Sequence, residues 1–183
     1  MRFKEYLIIE STIAHAAAWA AEKHEGQYRK GSGAPYIVHP KGVFKLLKSV
    51  GIKDKTLLLA SWLHDTIEDT KTTYNDIKNE FSKEVADVVK QLTSDSKEID
   101  RLGKPKYLFD KMVKMTDNGL VIKLADRLHN LNDITTMNKK LADKNWDQTW
   151  YIIDHLRSKR KLNSTHKKLI RKIIKQLTLY KDK

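Results

Sequence analysis

Leu57-Leu58-Leu59-Ala60-Ser61-Trp62-Leu63-His64-Asp65-Thr66-Ile67-Glu68-Asp69-Thr70 carries an apolar run straight into a cluster of ionisable residues. The leucines, Ala60, Trp62 and Ile67 cover every face at helical spacing, which predicts a buried helix over 57–70. Four ionisable groups then crowd into its last turns: His64, Asp65, Glu68 and Asp69. Charge enters a core only when it is paired or bound to metal. On a continuous helix His64 stands four residues before Glu68, and Asp65 four before Asp69, so each pair shares a face. His64 and Asp65 differ by about 100° around the axis, and both can reach one ion beside the helix. A solvated acidic helix end is the plainer reading of the segment taken alone.

N-terminal to this run, Asp54 is a candidate N-cap and Gly51 ends a helix over 43–50. Before that helix comes the one Gly/Pro-rich stretch, Gly26 to Pro40, a loop by composition. Arg29 and Lys30, followed by Gly31-Ser32-Gly33, can bring cations and backbone N–H groups to a phosphate or a base. The spacing is not that of a P-loop. His39 precedes Pro40 at a helix entry, a fixed position suited to a ligand. The Ala-rich segment Glu5 to Glu25 predicts a helix, and its His15 and His24 read as structural.

C-terminal to the run, Thr70 to Thr73 reads as a turn, and 74–80 and 82–92 as helices. Thr93 to Lys106, with Gly103 and Pro105, reads as a loop long enough to form a flap. A helix over 107–116 is expected to break at Asp117-Asn118-Gly119. Leu120 to Asn132 predicts another buried helix. Asp126 sits there among Leu124, Ala125 and Leu128, so it needs a partner: Arg127, or a metal. Asn130 lies one turn further on the same face. Met137 to Asn145 reads as a polar connector, and 146–160 and 163–183 as helices. No strand pattern competes, so the fold class is all-α, a bundle of about eight to ten helices.

The 183 residues suit one domain, here 1–183, with a core of about 5–156 and a basic helical extension over 157–183. The extension holds +10 of the net charge of +13. Its apolar residues recur at helical spacing, which favours a packed amphipathic helix over nucleic-acid binding. With no Cys, thiolate metal sites, disulfides and Cys nucleophiles are excluded. No apolar run is long enough for a membrane span and no signal peptide is evident, so the expected location is cytoplasmic.

Together His39, His64, Asp65 and Asp126 offer two imidazoles and two carboxylates, a donor set for one divalent ion that leaves coordination positions open. Such an ion activates water and polarises a phosphoryl oxygen. Glu68 and Asp69 can handle the protons of the attacking water and the leaving group. Arg29, Lys30, Lys123 and Arg127 offer positive charge to phosphate oxygens.

The order His39, His64-Asp65, Asp126 resembles the HD superfamily of metal-dependent phosphohydrolases. The longer strings Arg29 to Pro40, His64 to Thr70 and Lys123-Leu124-Ala125-Asp126-Arg127-Leu128-His129-Asn130 resemble the hydrolase domain of RelA/SpoT-type alarmone enzymes, over roughly residues 10 to 155. The resemblance implies an HD-domain helical bundle that removes the 3′-pyrophosphate of guanosine tetra- or pentaphosphate. It implies one Mn²⁺ on His39, His64, Asp65 and Asp126, with Glu68 and Asp69 serving the nucleophilic water. It implies nucleotide contacts from Arg29, Lys30, Ser32, Lys123, Asn130 and Tyr151, and 5′-phosphate contacts from the Arg101–Lys106 loop. The expected protein is a stand-alone small alarmone hydrolase, and a homo-oligomer is left open. After residue 140 the sequence departs from the family pattern, with Trp150-Tyr151-Ile152-Ile153-Asp154-His155 where family members carry an Ala-Pro-Leu-Ala-His-Arg-like segment. Rival readings share the ligand set: an adenine-alarmone hydrolase, an NADPH 2′-phosphatase, a nucleotidase, or a nucleotide sensor without turnover.

Overall fold

The computed structural model describes residues 3–181, with side chains from Leu7 onward; Asp182 and Lys183 of the basic segment lie outside the described residues. Two compact units emerge, Met1–Tyr28 with Ala34–Thr93, and Arg29–Gly33 with Ser94–Lys183. All the regular structure among the described residues is helical, apart from one isolated antiparallel bridge between Tyr28 and Pro35.

The first unit contains α1 (Phe3–Lys23), α2 (Val38–Ser49), α3 (Lys55–Leu63), α4 (Thr66–Asp69), α5 (Tyr74–Glu80) and α6 (Lys83–Leu92). Every residue from Leu57 to Leu63 is buried, because α1, α2 and α6 all pack on α3. Asp54 caps it as expected, accepting from the Leu57 N–H at 2.9 Å. The helix predicted over 57–70 is in fact two. Asp65 takes φ −102° and ψ −4°, in the bridge region, between the end of α3 and the start of α4. The reason lies in the side chains at the break. His64 Nδ1 bonds the Ser61 carbonyl at 2.9 Å, and the Thr66 hydroxyl donates to the Leu63 carbonyl at 2.8 Å. Side chains thereby satisfy carbonyls that the next helical turn would have used.

The second unit contains α7 (Ser96–Leu102), α8 (Lys104–Lys114), α9 (Asp117–Asn132), a 3₁₀ turn at Ile134–Thr136, α10 (Lys139–Lys159) and α11 (Ser164–Lys181). Three expectations are corrected here. The flap over 93–106 is mostly helix: Asp95 caps α7 by accepting from the Lys97 and Glu98 N–H groups. Gly103, at φ +77°, ends α7, and Pro105 sits in the first turn of α8. Gly and Pro there are helix punctuation, not loop composition. Asp117-Asn118-Gly119 is the first turn of α9, with the Thr116 hydroxyl accepting from the Gly119 N–H. The polar connector is the start of α10, capped by Asn138, which accepts from the Leu141 N–H at 3.0 Å.

Central to this unit is α9, buried from Gly119 to Leu128 and again at Leu131. Against it packs α11, burying His166, Leu169, Ile170, Ile173 and Leu177 and exposing Lys167, Lys168, Arg171, Lys172 and Lys175. The basic segment thus contributes core, and its charge is the outer face. Arg160 ties this joint. Its Nη1 donates to the carbonyls of Met112, Val113 and Met115 at the end of α8, and its Nη2 meets Asp117 Oδ1 at 2.7 Å.

Candidate metal centre

In the first unit His39, His64 and Asp65 come together. His39 is the second residue of α2; its N–H donates to the Tyr36 carbonyl at 2.9 Å, and its ring is 1% exposed. His64 closes α3 with Nε2 turned inward, 3.2 Å from His39 Nε2 and 3.0 Å from Asp65 Oδ2. His39 Nε2 lies 3.5 Å from the same oxygen. Because Nδ1 of His64 faces a carbonyl, that nitrogen carries the proton. That tautomer leaves His64 Nε2 as the acceptor nitrogen, on the side of His39 and Asp65. Two imidazole nitrogens and an acid oxygen thus converge in a buried site. A divalent ion answers that arrangement, and the Nδ1–carbonyl bond is what orients a ligating histidine.

Glu68 and Asp69 occupy α4 and are exposed. The Asp69 carboxyl reaches back to Tyr36, whose hydroxyl stands 2.9 Å from Asp69 Oδ2 and 2.6 Å from Asp65 Oδ2. Although Asp69 as a residue is exposed, its carboxyl turns in against Tyr36 and is partly withdrawn from water; that, and then the charge of Asp65, pushes its pKa above the usual carboxylate range. Tyr36 was not among the residues singled out from the sequence, while His24 beside it reads there as structural. His24 is buried, stacks on Tyr36 at 4.6 Å, and bonds Gln27 at 2.8 Å. An aromatic three residues before His39 was the available signal for Tyr36.

The second unit holds Asp126 at the middle of a chain of polar contacts. Lys123 Nζ lies 2.9 Å from Asp126 Oδ2, and Asn130 Nδ2 donates to Asp126 Oδ1 at 2.6 Å. Asn130 Oδ1 in turn accepts from Arg29 Nη2 at 2.7 Å, and Arg29 pairs with Asp133 Oδ2 at 2.9 Å. The two helical neighbours at i−3 and i+4 therefore aim the Asp126 carboxylate. Lys123, expected on a phosphate, is a buried partner of Asp126, while Arg127 bonds only the neutral Gln148 side chain, at 3.3 and 3.4 Å. Asp133, absent from the sequence reading, anchors Arg29. Lys30 and Ser32 are exposed on the same loop. The loop sits tightly: a Cβ on Gly31 would lie 2.8 Å from Thr136 Oγ1. Tyr151 lines a cavity of about 650 Å³ with Lys104, Pro105, Lys140, Lys144 and Gln148, and with the acids Asp143 and Asp147.

Residues 16–160 match the family described as HD domain. A relative from Xenopus tropicalis, named guanosine-3′,5′-bis(diphosphate) 3′-pyrophosphohydrolase MESH1, is 36% identical over 138 residues, which is 74% of this chain and 74% of the relative. The relative of the same name from Homo sapiens is 38% identical over 124 residues, 67% of this chain and 69% of its own length. A solved structure described as a metazoan ortholog of SpoT that hydrolyzes ppGpp superposes with a TM-score of 0.79 at 26% identity, covering 92% of this chain and 94% of that one.

Proposed function

The chain belongs to the HD-domain family, among relatives named (p)ppGpp 3′-pyrophosphohydrolases, and on that premise we propose that it hydrolyses the 3′-pyrophosphate of guanosine tetra- and pentaphosphate, releasing pyrophosphate and GDP or GTP. The observation that carries the reading is the buried knot of His39, His64 and Asp65, whose nitrogen and oxygen atoms stand 3.0–3.5 Å apart. We assign Asp126 as the further donor, a carboxylate buried in an apolar helix where charge requires a counter-ion. Nitrogen and oxygen donors without thiolate suit Mn²⁺, and we assign one such ion.

When bound, the ion lowers the pKa of a coordinated water and polarises a phosphoryl oxygen. Glu68, exposed at the start of the active edge, takes the proton of the attacking water. Asp69 has its pKa pushed up by burial and by Asp65, which suits it to hold a proton for the departing pyrophosphate. Asn130 holds the Asp126 carboxylate in its ligating orientation, and Lys123 balances its charge. Lys30 and Ser32 meet the phosphates, Arg29 fixes the loop that carries them by pairing with Asp133, and Asn130 lies by the nucleoside. Tyr151, with Lys104, Lys140 and Lys144 around its cavity, receives the 5′ phosphates. No helix among the described residues is long and apolar enough to cross a membrane, and a nucleotide substrate of this charge fits a cytoplasmic enzyme.

The test is product-resolved turnover of ppGpp with Mn²⁺ and with chelator, alongside ppApp, NADPH and a nucleoside monophosphate. Pyrophosphate release from ppGpp that chelator abolishes is the expected result. Orthophosphate from NADPH or the monophosphate, with no pyrophosphate from ppGpp, overturns the assignment.

A further inference from the structure

One side chain touches both halves of the catalytic apparatus in the first unit. The Tyr36 oxygen stands 2.6 Å from Asp65 Oδ2, in the metal knot, and 2.9 Å from Asp69 Oδ2, one turn later. Its ring is clamped. His24 stacks on it at 4.6 Å with 29° between planes, and His39 meets it edge-on at 5.9 Å. The clamp is itself tied to the acid pair, since Gln27 bonds His24 Nδ1 at 2.8 Å and donates from Nε2 to the Asp69 carbonyl at 2.6 Å. The backbone closes the assembly. The Tyr36 N–H donates to the Gln27 carbonyl, and the Tyr36 carbonyl accepts the His39 N–H, each at 2.9 Å.

We propose that Tyr36 is a positioning residue whose hydroxyl sets the Asp65 and Asp69 carboxylates together, so that metal affinity and turnover depend on one phenolic oxygen. The inference rests on the metal-dependent reading above. A ligating carboxylate loses affinity when the donor that orients it is removed, typically by about 10- to 100-fold. A proton-handling acid displaced by about 1 Å loses up to roughly 100-fold in rate. Removing the hydroxyl therefore acts on two separable quantities, while nucleotide binding, which the phenol does not serve, is left alone.

The experiment compares wild type with Tyr36→Phe, which keeps the ring between His24 and His39. Mn²⁺ affinity is measured by calorimetry on nucleotide-free protein, and kcat and KM for ppGpp at saturating Mn²⁺. The expected result is a Kd for Mn²⁺ weakened about 10- to 100-fold, a lowered kcat that excess metal does not restore, and an unchanged KM. In an Asp69→Asn background the phenylalanine should lower kcat no further, because the rate effect runs through Asp69. A second variant, His24→Leu, releases the ring without touching either acid and should weaken Mn²⁺ binding in the same direction, which keeps the test alive if Tyr36→Phe folds poorly. Wild-type Mn²⁺ affinity and kcat in both variants overturn the role of Tyr36 and leave the metal reading standing. Failure of the wild-type protein itself to bind Mn²⁺ overturns the metal reading instead.

Discussion

Replacing Lys123 by methionine removes the ammonium that pairs with Asp126 while keeping a chain of similar length. The two side chains are 9% and 8% exposed and their charged atoms stand 2.9 Å apart, so solvent screens the pair little. Removing one partner of such a buried pair costs about 3–5 kcal/mol, chiefly because the other charge is stranded. In a chain of this length each kcal/mol moves the midpoint by roughly 2–4 °C. Metal-free Lys123→Met should therefore melt about 10 °C below wild type. A divalent ion supplies the counter-charge that lysine gave, so Mn²⁺ should raise the variant's midpoint by more than it raises that of wild type. At one Mn²⁺ concentration, a hundredfold above the wild-type Kd, wild type gains about 2.7 kcal/mol, and any excess in the variant reports the tighter binding that follows relief of Asp126. Adding Asp126→Asn to the variant should recover most of the metal-free loss, because no charge is left stranded. The assay is calorimetric or fluorimetric melting in chelator and across a Mn²⁺ titration. A metal-free midpoint equal to wild type, or equal Mn²⁺ increments in the two proteins, refutes the pairing argument.

Glu68→Ala should leave Mn²⁺ binding intact and lower kcat by about 10²- to 10⁴-fold, while His64→Ala should abolish both; turnover of Glu68→Ala within a few fold of wild type removes Glu68 from the mechanism. Arg160→Ala strands three carbonyls at the end of α8 and frees Asp117 at the start of α9. It should cost roughly 3 kcal/mol, and amide exchange should accelerate first across residues 112–120. His166 donates from Nε2 to the Asp117 carbonyl at 3.0 Å, while its Nδ1 faces the Asn163 N–H at 3.4 Å. Burial holds its pKa below the usual histidine value. The folded protein therefore binds fewer protons than the unfolded chain, and stability falls as pH drops through about 6.5 toward the lowered value. His166→Gln should flatten that part of the pH–stability curve; an identical slope in the variant refutes the assignment.

The fold class was legible because Leu57 to Leu63 and Leu120 to Leu131 carry apolar residues at helical spacing with no strand alternation to compete. Burial all round follows from that pattern. Of the proposed metal ligands, His64, Asp65 and Asp126 stood out because they end or interrupt those apolar runs, and His39 because it precedes Pro40 at a helix entry. What escaped was punctuation. Gly103 and Pro105 were weighed as loop composition, yet a glycine at φ +77° followed by a proline in the first turn is how one helix stops and the next starts. The same holds for Asn138 ahead of α10 and Thr116 ahead of α9, caps followed by residues too polar to carry a periodic signal. Asp133 and Tyr36 escaped for a different reason. Their partners, Arg29 and Asp69, lie 104 and 33 residues away, and no spacing rule reaches across that separation.

On the proposed function, the break at His64–Asp65 lets one short motif serve two kinds of chemistry. An unbroken helix would have carried His64, Asp65, Glu68 and Asp69 with the same rigidity and the same burial. Instead α3, locked on all sides, ends at the ligands, and His64 is held by the carbonyl of its own last turn. The four residues of α4 then turn outward, so Glu68 and Asp69 meet solvent, where a water-handling acid must exchange protons. Rigidity suits the ligands, whose geometry decides metal affinity, and exposure suits the acids. The drawback is looser registration between the two groups, which the Asp69 N–H to Asp65 carbonyl bond, at 2.8 Å, links through the backbone. A side-chain link is what such a junction requires, and the Tyr36 hydroxyl, within 2.9 Å of both carboxylates, is the group that makes it.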